Sequence, residues 1–189
     1  MRARAPGESA LLLLDVVDVI ATKGIEYAVV GAMAASVHGA VRASLAADAI
    51  LLLGITRLRA LEREFSAAGF RTECRYGDPD DPIAGMLVLQ DEHTNRVDLI
   101  VGLRGLEVET FSRAIHVPFQ GVTLRVVGRE DFVAMKLFAG GPQDLADATS
   151  VVRLVGNELD LNLLRRLAQR YGRATVTALD TLMTDISHP

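Results

Sequence analysis

A few stretches of this chain carry residues suited to holding a phosphate-bearing ligand. The most informative is Val29 to Leu53, VVGAMAASVHGAVRASLAADAILLL, in which an apolar run ends at Gly31 and Ala32, a short small-residue helix pattern follows, and a second apolar run carries Asp48. Small side chains at Gly31 and Ala32 let a phosphate approach the backbone, and the amides of the following helix point toward the anion. Arg42 and Ser44 add donors near the same spot. Asp98 sits in RVDLIV, with apolar residues on both sides. A carboxylate buried there costs free energy, and a metal or a basic partner is a reason to keep it. Further on, DFVAMKLFAGGPQDLAD (131–147) sets Lys136 as the one cation among Phe132, Met135, Leu137 and Phe138, where it could reach phosphates. Asp144 and Asp147 are three apart and share a helix face, where they could compensate the helix dipole after Pro142.

The elements that must position these groups follow from periodicity. Glu8 to Thr22 predicts a helix with the stripe Leu13, Val16, Val17 and Ile20, stopped at Gly24, and with Asp15 and Asp18 off the stripe. Tyr27–Val30 reads as a buried strand, Ala32–His38 as a short helix closed by Gly39, and Ala47–Leu53 as a central strand, apolar apart from Asp48. Thr56 is expected to cap a helix running to Gly69, with Leu58, Leu61 and Phe65 inward. Strands are expected at Phe70–Tyr76, Met86–Gln90 and Arg96–Val101, with Gly77–Pro82 a turn-rich loop. Ile115–Phe119 and Val122–Val127 read as a hairpin. From Arg129 the pattern is helical, with Pro142 in a first turn and Asp160 opening another helix. The expected fold is mixed α/β (α+β): a core over 1–128 and a helical part over 129–189 packed on it.

Composition limits the partners. The 189 residues are 50% hydrophobic and 23% charged, which suits one compact domain with a sizeable core. A net charge of −4 disfavours general nucleic-acid binding unless basic residues cluster. The arginine groups at Arg57, Arg59 and Arg63, and at Arg165, Arg166 and Arg170, read as solvated helix faces. The single cysteine, Cys74, excludes an intramolecular disulfide and fits a reducing compartment. Asp15 and Asp18 interrupt the apolar run after Arg2 and Arg4 too early for an export segment, and no run approaches a membrane span. The expectation is a cytoplasmic protein without membrane association. Ser36 and His38 point to different faces of their helix, which argues against a hydrolase dyad. His38 is expected to pack against its turn or bond the backbone, with substrate contact the second reading. Cys74 has no zinc-spaced partner, and His93, His116 and His188 suggest no metal site.

On these motifs the chain resembles the nucleotidyltransferase superfamily, and most of all the minimal nucleotidyltransferase-like proteins of bacterial toxin–antitoxin modules. The match covers roughly Ile25 to Asp147: a hydrophobic residue, Gly31 and a small residue, a short helix, a strand bearing acids, Asp98 on a later strand, and a lysine helix followed by Asp-Leu-x-Asp. The resemblance implies nucleotide transfer from an NTP to an acceptor hydroxyl, on a protein, a tRNA end or a small molecule. It assigns Asp48 and Asp98 to catalysis and to Mg²⁺, and Gly31, Ala32, Arg42, Ser44, Lys136, Asp144 and Asp147 to the substrate. The chain departs from the family pattern at Ala32, where Gly or Ser is usual, and at Ala46, where the first of two paired acids belongs. Alternate strand residues face the same way, so paired acids bridge two metals; Ala46 leaves Asp48 and Asp98 with enough for one Mg²⁺. Ala46 is a natural loss, an introduced substitution, or a gap filled by Asp78, Asp80 or Asp81. The alternative function is a non-catalytic nucleotide- or partner-binding protein of a toxin–antitoxin-type module. A third reading is structural, with Asp48 and Asp98 paired to Arg42 or Arg96.

Overall fold

A computed structural model of the protein describes residues 1–40 and 44–187. Helix α1 (Ser9–Thr22) buries Leu12, Leu13, Leu14, Val16, Val17 and Ile20. Asp15 and Asp18, off that stripe as expected, are bridged by the Arg2 guanidinium at 2.9 and 2.7 Å, which folds the first residues back along the helix. After α1 come β1 (Tyr27–Val30), α2 (Gly31–Val37) and β2 (Ala46–Leu51). A 3₁₀ turn (Ile55–Arg57) leads into α3 (Leu58–Ala67), followed by β3 (Arg71–Tyr76), β4 (Ile83–Gln90) and β5 (Arg96–Leu103). A short helix α4 (Glu109–Ser112) precedes the hairpin β6 (Ile115–Phe119) and β7 (Val122–Val126).

The strands form one seven-stranded mixed sheet in the order β3-β4-β5-β2-β1-β7-β6. β2 lies at its centre, antiparallel to β1 and parallel to β5. Side chains alternate across a sheet. Ala47, Ala49 and Leu51 of β2 and Val97, Leu99 and Val101 of β5 are buried and share one face, and α1 packs against these two strands. The other face carries Asp48, Ile50, Asp98 and Ile100.

The C-terminal part is helical: α5 (Arg129–Ala139), α6 (Pro142–Val155), a 3₁₀ turn (Gly156–Glu158), α7 (Leu161–Tyr171) and α8 (Arg173–Ser187). Pro142 opens α6, and Asp160 caps α7 by accepting from the Leu163 amide at 3.0 Å, both as expected. Helix α5 packs against α6, α7 and α8. Buried Glu107 joins this part to the sheet region through Arg113 and Arg166, each at 2.7 Å.

Three local expectations are corrected. Thr56 does not cap a helix: the Arg57 amide already bonds Gly54 at 2.9 Å, so Thr56 lies inside a 3₁₀ turn, and Arg57 holds the cap position without a side-chain bond. β4 starts at Ile83 rather than Met86. Gly85, which breaks the strand pattern in the sequence, is small because a Cβ there would lie 2.4 Å from Ile55 Cδ1. Four-residue α4 was not anticipated, being too short to show a helical period.

Candidate functional site

The site is built where β1 ends. Val30 is the register partner of Asp48 across the β1–β2 pair. The next residue, Gly31, has φ +63°, and a Cβ there would sit 2.1 Å from Asp48 Oδ2. The Asp48 carboxylate therefore lies directly against the Gly31 Cα. Glycine satisfies both the left-handed backbone and the close approach. Across the parallel pair, Asp48 is in register with Asp98. Neighbouring strands are about 4.8 Å apart, so the two carboxylates rise side by side from the same face.

Asp98 is buried and already engaged: Arg96 Nε donates to its Oδ1 at 2.7 Å. Arg96 is in turn the register partner of Ala46. A cation therefore stands on the strand beside Ala46. The Glu73 carboxyl on the same region of the sheet is held below its usual range, first by its bond to Arg75 and also by the field of Arg96.

A cleft of about 260 Å³ opens over this face, between the sheet and α5. Asp48, Lys136 and Asp144 are the charged groups on its wall, with Gly31 beside them; Val30, Ile50, Ile83, Ile100, Met135 and Phe138 make much of the rest. Lys136 is buried, and its Nζ bridges Asp144 Oδ1 at 2.7 Å and Asp147 Oδ2 at 2.9 Å. Gln143 Nε2 donates to the other oxygen of Asp147 at 2.9 Å, fixing that carboxylate below the cleft.

The fold thus brings Gly31, Asp48, Asp98, Lys136, Asp144 and Asp147 to one region. Ala32 and Ser44 line a different depression, together with Ala46. Ser44 Oγ is spent locally, donating to the Ala46 carbonyl at 2.8 Å. Arg42 and His188 lie outside the described residues. Asp81 caps its own loop, accepting from the Asp78 amide at 2.7 Å, and Arg104 holds the carbonyls of Asp80 and Asp81 at 2.7 and 3.0 Å. The loop acids are thus folded into their own turn. The groups that the sequence reading left out of the site are the cleft walls from β4 and β5 and the clamp residue Gln143. Only the apolar alternation of the strands hinted at the walls.

The donor set fits one hard cation. Mg²⁺ is content with one or two carboxylates completed by phosphates and waters, and Asp48 and Asp98 supply two. It does not fit a pair of bridged metals, because residue 46 has no side-chain oxygen. No group of three or more metal-ligating side chains occurs among the described residues.

His38 sits away from the cleft. Its Nε2–H donates to the Val127 carbonyl at 2.8 Å, and its ring packs against Phe132. The role is structural, as expected, but the partner is the backbone beyond β7 rather than the turn at Gly39. Burial holds its pKa below the ordinary 6.5, against the opposing pull of the Val127 bond. The unfolded chain then binds a proton that the folded one resists. Stability is intact above about pH 6.5 and falls as pH drops below it. His38→Gln keeps a donor without a titrating ring, so its melting temperature is expected to decline less than that of the parent in a thermal series from about pH 7.5 to pH 5.5.

Cys74 is half-buried, and burial pushes its thiol up to about 11, which leaves it a poor nucleophile at neutral pH. No helix among the described residues is long and apolar enough to cross a membrane.

No protein family and no curated protein matches the chain in sequence. Its fold is shared with solved structures. An antigenic nucleotidyltransferase-like protein from Paracoccidioides brasiliensis matches at TM-score 0.55 and 13% identity, over 98% of this chain and 95% of that one. ANT(2″)-Ia, in complex with adenylyl-2″-tobramycin, matches at TM-score 0.56 and 13% identity, over 85% and 97%. A proposed nucleotidyltransferase from Thermotoga maritima matches at TM-score 0.57 and 16% identity, over 82% and 97%. The chain has the nucleotidyltransferase-like fold.

Proposed function

We propose that this protein binds an NTP at the cleft through one Mg²⁺ held by Asp48 and Asp98, and that Ala46 leaves nucleotide transfer to an acceptor hydroxyl strongly impaired. The observation that carries the reading is the register of Asp48 with Asp98 beside the Gly31 turn. Two carboxylates set side by side on one face of a central sheet repel each other. Such an arrangement is reasonable when a cation binds there. When bound, Mg²⁺ supplies neutralisation of the triphosphate and activation of the attacking oxygen.

The chain's own residues do the rest. Gly31 clears the approach to Asp48. Lys136, oriented by Asp144 and Asp147, holds an ammonium donor at the cleft wall, its charge shared with those two carboxylates. The apolar walls exclude water and receive the base or an apolar part of the acceptor. That lining favours a small-molecule acceptor over a protein side chain or a tRNA end, as does the net charge of −4 for the last of these.

The second reading is a non-catalytic member of the fold that binds nucleotide or a protein partner, as in a toxin–antitoxin-type module. Ala46 facing Arg96 favours it, since an arginine now borders the place of the missing acid.

Titration with ATP and Mg²⁺ tests the shared premise, and labelled-NTP transfer separates the readings. Asp48→Asn and Asp98→Asn are each expected to weaken Mg²⁺-dependent ATP binding by tenfold or more, roughly the size of one lost carboxylate–cation contact. Ala46→Asp is expected to raise Mg²⁺ affinity and to start or increase transfer. ATP binding indifferent to both asparagine variants would sink the reading.

A further inference from the structure

We propose that Arg96 is a latch on the cation site, competing with the divalent ion for Asp98. The inference rests on the reading of Asp48 and Asp98 as the cation ligands. Arg96 Nε donates to Asp98 Oδ1 at 2.7 Å, a short charge-assisted bond that draws on the charge a metal would use. The Asp98 side chain is 12% exposed, so water does little to weaken this pair, while the Arg96 side chain is 34% exposed and has room to leave. Arg96 is anchored at its base, because its backbone amide donates to Ser9 Oγ at 3.0 Å and its strand pairs with β2. Its motion is therefore confined to the side chain.

The register explains why the latch closes. Arg96 lies beside Ala46 on the neighbouring strand. An acid at residue 46 would offer the guanidinium a second carboxylate and share it. With alanine there, Arg96 turns its Nε to Asp98. The loss of one acid thus does two things: it removes a ligand, and it frees an arginine to occupy another. A divalent ion that takes Asp98 Oδ1 displaces Arg96, and one that takes Oδ2 meets a nearby guanidinium and a carboxylate whose charge is already shared, so metal affinity is lower than two carboxylates alone would give. Displaced from Asp98, the guanidinium is a cation at the margin of the site, suited to a polyphosphate oxygen.

The test is Mn²⁺ binding to the full chain without nucleotide, read by the loss of the free-ion electron paramagnetic resonance signal. Arg96→Gln and Arg96→Met are both expected to bind Mn²⁺ about three- to tenfold more tightly than the parent, the range expected for a partly exposed ion pair. Arg96→Lys, a cation that cannot reproduce the Nε geometry, is expected to fall between. Asp98→Asn is expected to remove the gain in either background. Unchanged or weaker Mn²⁺ binding in both folded Arg96 variants, with binding still dependent on Asp48 and Asp98, overturns the latch and leaves the nucleotide reading standing. Mn²⁺ binding independent of Asp48 and Asp98 overturns both.

Discussion

Lys136→Met is expected to destabilise the protein by about 3–5 kcal/mol, because it removes the cation shared by two carboxylates, one of them buried. Asp147 is 3% exposed on its side chain, and Lys136 Nζ lies 2.9 Å from its Oδ2. Asp144, 2.7 Å away on the other side, loses the same partner. Methionine fits the apolar surroundings, including the Phe132 ring that Lys136 overlies, so the loss is electrostatic rather than a cavity. In a chain of this length the expected fall in melting temperature is on the order of 10 °C. The compensating variant gives the mechanism away. Adding Asp147→Asn to Lys136→Met removes the buried negative charge and is expected to recover more than half of the loss. A small loss, or no recovery, would show that the clamp is not what holds α5 to α6.

Gly31→Ala is expected to abolish ATP binding, whereas Gly24→Ala, at nearly the same backbone angle, leaves it intact. Gly31 has φ +63° and Gly24 φ +62°. An alanine at either pays the left-handed strain, about 1–3 kcal/mol. Only at Gly31 does the new Cβ meet Asp48 Oδ2, at 2.1 Å; at Gly24 it meets nothing within 4 Å. Relief of that overlap requires the Asp48 carboxylate to move, which separates it from Asp98. Paired measurements of melting temperature and ATP affinity distinguish the outcomes. Both variants should melt lower than the parent, and only the first should lose ligand. Equal affinities in the two would mean that Asp48 takes no part in the site.

The sequence makes some of this visible for clear reasons. Asp48 and Asp98 stand out because each interrupts an apolar run, where a charge needs a purpose. Gly31 stands out because it ends a strand. These are local signals. The parallel pairing that sets Asp48 beside Asp98 joins segments about fifty residues apart, and no local preference encodes it. The same register puts Arg96 beside Ala46, so a residue readable only as a potential partner for Asp98 also becomes a neighbour of residue 46. The spacing of Asp144 and Asp147 foretold a shared helix face. That Lys136 lies between them depends on the bend at Gly140 and Gly141, where α5 stops in a left-handed residue and α6 begins. Ala32 and Ser44 mark the limit of pattern reading. They sit in the right order along the chain, yet they line another depression.

The cleft draws its floor from the sheet and its roof from α5, and the order of synthesis follows from that division. A chain leaving the ribosome completes Asp48, Asp98 and their strands well before Lys136 and Asp144 emerge. Until then the acidic floor has no cover and its apolar residues, Ile50 and Ile100 among them, face solvent. The nascent chain therefore passes through an interval in which this apolar floor exists without its roof, and the cleft forms only once α5 has docked.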